Sequence, residues 1–273
     1  MARTVSRRAV NALLGVTPLA LGVAGLVGFS PGGRAAAPPK AAISKEASAA
    51  VAQMGKTLSA DQFSFQAHTL RAYEDSNGQP LHIAHSVKVT VRRPDRLLIE
   101  VSGDDGSHKL FYNGKTVVLF SVETKQYSTL EVPNTIQGMM KNVMGHLGVD
   151  FPLADFVTDD PAKSFLLGVT SGRQVNTVTI DGVPVRHLLF VQPPGIELEL
   201  WLDKSDQALP RRLIVTYRNL PNEPSFIAEY SDWNFSIHPA DADFEFSAPA
   251  GAKQVELKPA SATAPAKPKG AKP

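Results

Sequence analysis

Hydrophobic and polar residues alternate along most of the chain between residues 61 and 235, which is the pattern of half-buried β-strands. In the clearest run, residues 81, 83, 85, 87, 89 and 91 fall on one face and are apolar except for His85. Turn-forming pairs such as Asn77-Gly78 and Asn113-Gly114 separate the runs. The pattern predicts about eleven antiparallel strands in two series, one between residues 61 and 132 and the other between residues 172 and 235.

A stretch with helical spacing, residues 134–147, separates the two strand series. Six of its apolar side chains share an arc roughly 140° wide, and these are Ile136, Met139, Met140, Val143, Met144 and Leu147. Gly138 and Gly145 lie on the opposite face, and each costs about 1 kcal/mol of helix stability relative to alanine. The pattern predicts a helix, here named the methionine helix, with Asn134 as its N-cap. It is either an ordinary core helix packed on a sheet or a mobile cover.

Further helices are predicted at residues 44–58, 151–156 and 161–167. About eleven antiparallel strands are too many for a flat open sheet, so the sheet should curl strongly toward a barrel. The expected fold class is therefore α+β, a strongly curved antiparallel sheet that forms an incomplete β-barrel closed by helices. The inward-facing positions are expected to include Val87, Val89, Leu98, Leu189, Leu198, Leu200 and Ile214. Alternation alone does not decide which face of the sheet points inward.

The two ends of the chain differ in composition from the part between them. Arg3, Arg7 and Arg8 precede an uncharged run over residues 9–30, which predicts a signal peptide over residues 1–37. The alternative is an uncleaved anchor, because the run is just long enough to span a bilayer. Residues 38–249 are expected to form the folded domain, and residues 250–273, rich in Lys, Pro and Ala, a disordered tail.

Charge and the absence of cysteine disfavour two classes of function. Residues 38–249 carry 19 basic and 25 acidic side chains, a net charge of −6, and no basic patch interleaved with aromatic residues. Nucleic-acid binding is therefore disfavoured. The chain has no cysteine, so it forms no disulfide and offers no thiolate for catalysis or metal binding.

Candidate chemistry is sparse, and we expect no catalysis, no metal and no cofactor. The seven histidines are scattered, and His82 and His85 lie on opposite faces of one strand, which makes them a poor metal pair. Asp104, Asp105 and His108 fit a polar hairpin tip better than a ligand set. His187 lies among apolar positions, which predicts a buried, hydrogen-bonded core histidine. Trp201 shares a strand face with two glutamates, which predicts a surface or rim position.

Several short strings together resemble a family of predicted bacterial periplasmic proteins known only as a domain of unknown function. They lie at residues 91–97, 111–115, 151–156, 169–173, 182–188 and 231–234. More distantly, residues 200–203 and 210–213, separated by a six-residue turn, are similar to a strand–turn–strand unit of the LolA/LolB lipoprotein-carrier superfamily. That resemblance implies an incomplete barrel closed by helices over an apolar cavity that holds acyl chains.

These observations favour an exported periplasmic binding protein that holds a lipid or acyl chain under the methionine helix. The candidate lining is the methionine-helix arc together with Val87, Val89, Leu198 and Leu200. Contact with a membrane after signal cleavage is expected to be peripheral or absent. One alternative is a cell-envelope scaffold that binds a protein partner without a small ligand, and another is an uncharacterised hydrolase.

Overall fold

Twelve strands form a single sheet in the computed structural model of the chain, which describes residues 42–74, 79–147 and 151–257. The expected signal peptide at residues 1–37 and the last part of the expected tail, residues 258–273, lie outside the described residues. The first strand series comprises β1 (Gln62–Glu74), β2 (Pro80–Arg92), β3 (Arg96–Gly103), β4 (Gly106–Tyr112), β5 (Thr116–Ser121) and β6 (Gln126–Glu131). The second comprises β7 (Ser171–Ile180), β8 (Val183–Gln192), β9 (Ile196–Asp203), β10 (Pro210–Tyr217) and β11 (Ser225–Asn234).

The spatial order of the strands is β12-β6-β5-β4-β3-β2-β1-β11-β10-β9-β8-β7, where β12 is Lys253–Gln254. Each series is an antiparallel meander, and β1 pairs with β11 to join the two. The order has two ends, so the sheet is unclosed. The curved, incomplete barrel predicted from the strand count is confirmed. Only β12, which pairs in parallel with β6, was not predicted.

The described residues include three α-helices beside the sheet, namely α1 (Lys45–Leu58), α2 (Ile136–Leu147) and α3 (Pro161–Phe165). Short 3-10 helices lie at Ala154–Phe156 and Asp241–Phe244. The side chain of Ser44 caps α1 by accepting a hydrogen bond from the Ala47 amide at 3.2 Å. The methionine helix is α2, and its capping residue differs from the prediction. Thr135 Oγ1, not Asn134, accepts from the Gly138 amide at 3.1 Å.

One face of the sheet, here the inner face, carries a continuous hydrophobic cluster that also contains the buried residues of α1 and α2. Three positions expected to face inward instead point outward, while a neighbour of each is buried. The outward-pointing positions are Leu98, Leu189 and Ile214, and the residues buried on the inner face beside them are Leu97, Leu188 and Leu213. Each of these strands has at least three consecutive apolar residues at the site of the error. The alternation of apolar and polar residues, which would identify the buried face of a strand, is therefore absent at these positions.

The outer face of the first meander is crossed by the end of the chain, residues 235–257, here named the C-terminal strap. His238 Nδ1 lies 2.6 Å from Gln62 Nε2, and Arg92 donates to the Pro239 carbonyl at 2.8 Å. The strap then adds β12 to the edge of β6, and Leu257 reaches the inner cluster. The ordered chain thus continues past residue 250, where the tail was expected to begin.

Candidate functional site

Helix α2 places its apolar arc on the inner face of the sheet. Ile136, Met139, Met140 and Val143 are at most 2% exposed, and Met144 is partly buried against the same cluster. The side chain of Leu147 lies outside the described part of the structure. The sheet residues expected to line a cavity, Val87, Val89, Leu198 and Leu200, belong to this cluster and are 0–8% exposed.

The structure therefore brings the described members of the candidate lining together in one closed cluster. Because water reaches almost none of their surface, an acyl chain has room beside them only after elements of the inner face separate. Their role in ligand binding remains a prediction.

The N-terminal end of α2 is fixed to the sheet. The Ile136 amide donates to the Pro94 carbonyl at 3.0 Å, and Tyr112 Oη donates to the Pro133 carbonyl at 2.6 Å. Burial raises the pKa of Tyr112 to about 12, so its hydroxyl remains a donor at physiological pH. A methyl group at Gly138 would lie 2.8 Å from Pro133 Cβ, which means that only glycine allows this close approach.

The second glycine of α2 lies in a different environment. A methyl group at Gly145 would meet no other atom within 4 Å. The sequence suggested that both glycines weaken the helix, but Gly138 is required by packing, whereas open space lies beside Gly145. The helix is thus held by hydrogen bonds at its start and has one uncovered side near its end.

Arg93 connects the sheet to the other inner-face helices. Its Nη2 donates to the Leu58 carbonyl and its Nη1 to the Val157 carbonyl, each at 2.8 Å, while Nε donates to the Ala60 carbonyl at 3.2 Å. The guanidinium also lies 5.8 Å above the centre of the Phe63 ring. One buried cation therefore holds the end of α1 and the segment after the Ala154–Phe156 helix against the turn between β2 and β3. Sequence reasoning placed this arginine in a family string but gave it no role.

An aromatic group lies beneath these helices. Phe65 stacks on Trp233 with ring centres 4.6 Å apart, and the Phe156 ring meets Tyr230 edge-on at 5.4 Å. Tyr230 is 4% exposed, and its hydroxyl makes no hydrogen bond within the described residues. Burial raises the pKa of Tyr230 well above its usual value. A buried hydroxyl without a partner is costly, so this atom is a candidate contact for a polar ligand group.

A second unpartnered polar atom lies on the inner face near the turn between β3 and β4. His108 is 3% exposed, and its Nε2 has no hydrogen-bond partner in the described ranges. Burial lowers the pKa of His108 more than nearby Asp105 and Glu123 raise it. His85 Nε2 lies 2.7 Å from Asp105 Oδ1. Asp104 and Asp105 form the hairpin tip as predicted, whereas His108 is buried.

Metal-ligand geometry is absent from this cluster. Across the described ranges, no three potential metal-ligating side chains come together.

His187 departs from its prediction as a buried core histidine. It lies on the outer face, where its ring stacks on Trp201 with centres 4.1 Å apart and planes 7° from parallel. Its Nε2 lies 2.8 Å from Glu199 Oε2. The apolar face of β8 that contains His187 is the outer one, because Leu188 and Phe190 face the core instead. Trp201 lies on the outer face, as expected, but it is only 8% exposed because His187 and Arg212 cover its ring.

The fold and site together define the class, a curved and unclosed antiparallel sheet with few helices and an apolar inner face under α2. The chain belongs to the family described as predicted periplasmic protein (DUF2092), whose model matches residues 47–258. This match confirms the family resemblance found in the sequence. No helix in the described ranges combines the length and hydropathy of a transmembrane segment.

Among solved structures, the chain is similar to an uncharacterized conserved protein from Thermus thermophilus, with 11% identity, a TM-score of 0.47 and coverage of 78% of this chain and 100% of that chain. It is similar to the LolA superfamily protein NE2245 from Nitrosomonas europaea, with 11% identity, a TM-score of 0.38 and coverage of 73% of this chain and 97% of that chain. The Mycobacterium tuberculosis lipoprotein LppX gives 15% identity, a TM-score of 0.44 and coverage of 71% and 99%. No curated protein matches the sequence significantly.

Proposed function

We propose that this protein is exported to the periplasm by residues 1–37 and binds an apolar ligand, a lipid or acyl chain, between α2 and the inner face of the sheet. The observation that carries the proposal is the burial of the methionine arc of α2 against the inner face. Methionine side chains are unbranched and adaptable, so they can repack around an inserted chain. The site binds its ligand without catalysis.

The closed cluster supports a mechanism in which α2 acts as a cover. Since the start of α2 is held by Pro94 and Tyr112, while a side chain at Gly145 would meet only open space, the helix would open from its far end. An acyl chain would then take the place of the methionine arc in the hydrophobic cluster that also contains Val89 and Leu200. Dispersion and apolar burial are similar in the closed and the ligand-bound states, so these two states need differ little in free energy.

The unpartnered polar atoms support a ligand that is not purely apolar. Tyr230 Oη and His108 Nε2 are both buried on the inner face without partners in the described residues. A hydroxyl, ester or carboxyl group on the ligand would give either atom a hydrogen bond. An amphipathic lipid therefore suits the site better than a hydrocarbon.

Lipid binding is tested first on the full chain, purified from the cell envelope and examined by native mass spectrometry for bound lipid. The delipidated protein is then titrated with palmitate. We expect co-purified lipid and saturable palmitate binding. A folded protein that carries no lipid and does not bind palmitate at millimolar concentration would contradict the proposal and leave the envelope-scaffold alternative.

Movement of α2 is tested with a fluorescent label. Because the chain has no cysteine, the variant Gly145→Cys provides one unique labelling position on α2. We expect the emission of an environment-sensitive dye at this position to change on palmitate addition. The matched control is Ser247→Cys on the outer face, where emission should stay constant. An equal response at both positions would contradict a moving cover.

A further inference from the structure

A cavity lies on the outer face of the sheet, on the side opposite α2. It has a volume of about 300 Å³, lies between β4–β6 and the C-terminal strap, and is partly open to solvent. Its floor includes Phe111, Val118 and Thr129, which are neighbours in register on three adjacent strands. Its wall is formed by Phe244, Phe246 and Ala248 of the strap. A cavity of this size is at the lower end of small-molecule sites, so it suits a ligand of about one ring.

The aromatic side of the cavity is rigidly built. The Phe246 ring packs against Phe111, Phe120 and Tyr127, with ring centres 5.5, 5.3 and 4.9 Å away. The Arg92 guanidinium lies 5.3 Å from the centre of the Phe244 ring and also pairs with Asp241. These contacts fix the strap at the point where it forms the wall. The aromatic surface is thus present before any ligand arrives.

The polar side of the cavity is equally ordered. Asn113 Oδ1 accepts hydrogen bonds from the Lys115 and Thr116 amides at 3.1 and 2.9 Å, which fixes the orientation of its side-chain amide. Asn113 Nδ2 then donates to Glu245 Oε2 at 2.9 Å. The other carboxylate oxygen of Glu245 accepts no hydrogen bond from the described residues, and this side chain is exposed. A preoriented acceptor therefore faces the cavity.

The remaining groups are neutral. The hydroxyls of Thr116, Tyr127 and Thr129 and the amide of Gln254 complete the polar lining. Among the described residues that line the cavity, none is basic, so it offers nothing to neutralise an anion. An aromatic wall next to hydroxyl, amide and carboxylate groups matches a molecule with C–H groups on one face and several hydroxyls around its edge.

We propose that this cavity is a binding site for a single sugar ring, a hexose or N-acetylhexosamine such as the terminal unit of a glycan. One face of the sugar packs on Tyr127 and Phe246. Its hydroxyls donate to Glu245 and exchange hydrogen bonds with Asn113 and Gln254. The site is separated from the lipid site by the thickness of the sheet, so either proposal can fail without the other.

The test uses the full chain labelled with nitrogen-15 and titrated with glucose, galactose and N-acetylglucosamine by NMR. We expect at least one sugar to bind with a millimolar or tighter Kd and to shift amide signals of residues 111–129 and 244–254. In Glu245→Gln, which keeps the shape but removes the charge, affinity should fall at least fivefold. The matched control Glu131→Gln, on the same meander but outside the cavity lining, should bind normally.

Three results would overturn the proposal. They are the absence of localised shifts with all three sugars, equal binding by Glu245→Gln and wild type, and shifts induced by choline but not by sugars. The last result would indicate that the carboxylate and the aromatic rings of the cavity bind a cation and not a sugar. The dispersion of the amide signals shows whether the protein is folded, and a palmitate titration of the same sample reports separately on the lipid site.

Discussion

The guanidinium of Arg93, at the turn between β2 and β3, donates a hydrogen bond to the carbonyl of Leu58, the last residue of α1, at 2.8 Å. With Val157 and Ala60, three backbone carbonyls share this one side chain. The Arg93→Met variant keeps most of the apolar stem but leaves these acceptors without a charged donor. We expect the free energy of unfolding to fall by about 3 kcal/mol, measured by urea denaturation.

The same variant should loosen α1 specifically. Hydrogen exchange of the last turn of α1 should rise in Arg93→Met relative to the centre of β1. The matched control is Arg218→Met, because Arg218 forms surface ion pairs with Glu197 and Glu223. Surface ion pairs contribute little to stability, so this control should be nearly neutral. Equal losses in the two variants would refute the role given to Arg93.

The two glycines of α2 should respond oppositely to alanine. Gly145→Ala adds a methyl group into open space and should stabilise the protein by up to about 1 kcal/mol. Gly138→Ala places a methyl group 2.8 Å from Pro133 Cβ and should destabilise it or displace the start of the helix. Thermal unfolding of both variants measures the difference. If both changes raise the melting temperature, the close packing at Gly138 is not real.

If α2 uncovers the lipid site by unwinding its last turn, the helix stabilised by Gly145→Ala should also open less readily. Palmitate binding to Gly145→Ala should then be slower than to wild type in stopped-flow measurements, because opening precedes entry of the chain. Unchanged binding rates together with a raised melting temperature would show that the stability of α2 does not control entry of the ligand.

Truncation of the C-terminal strap tests where the folded domain ends. A chain ending at Pro249 lacks β12 and Leu257, so the edge of β6 is uncovered and a buried leucine is lost. We expect a loss of about 2–4 kcal/mol and concentration-dependent association, seen by light scattering. A chain ending at Pro259 keeps both features and serves as the control. Identical behaviour of the two truncated chains would show that the folded domain ends near residue 250.

Stability should decrease as pH falls, in part because of His108. Burial holds its folded-state pKa below the ordinary value of 6.5, although Asp105 and Glu123 face it and act in the opposite sense, while His85 adds to the lowering. Below pH 6.5 the unfolded chain binds a proton that the folded protein resists, so the free energy of unfolding falls until the folded-state pKa is reached. Urea denaturation between about pH 7.5 and 5 should show a smaller decrease for His108→Leu than for wild type. Parallel curves would contradict this assignment.

Much of the fold was accessible from the sequence because turn residues and a period of two mark each strand locally. All eleven long strands and the helices at residues 45–58 and 136–147 follow from these signals. Which face of the sheet points inward was harder to predict. In β3, for example, Leu97-Leu98-Ile99 is apolar on both faces of the strand, and only the packed structure shows which face is buried. β12 was missed because the Lys and Pro content around it outweighs a two-residue strand that exists only by pairing with β6.

The candidate site was accessible in part for the same reason. The methionine arc and the positions on β2 and β9 follow from periodicity, and they meet in one cluster. The contacts of Arg93, the unpartnered hydroxyl of Tyr230 and the outer cavity depend on segments far apart in sequence. Asn113 and Glu245, for example, meet only because the strap returns across β4. No local pattern encodes such a meeting.

The pairing of β1 with β11 also sets the order in which the protein is able to fold. Residues such as Leu70 and Ile227 are neighbours in the sheet although more than half of the chain separates them. The first meander consequently has an unpaired β1 edge until the last long strand has been made. Such long-range pairing makes folding slow. A ribosome-bound chain would therefore expose this edge, and we expect it to bind chaperones for longer than a fold built from local pairs does.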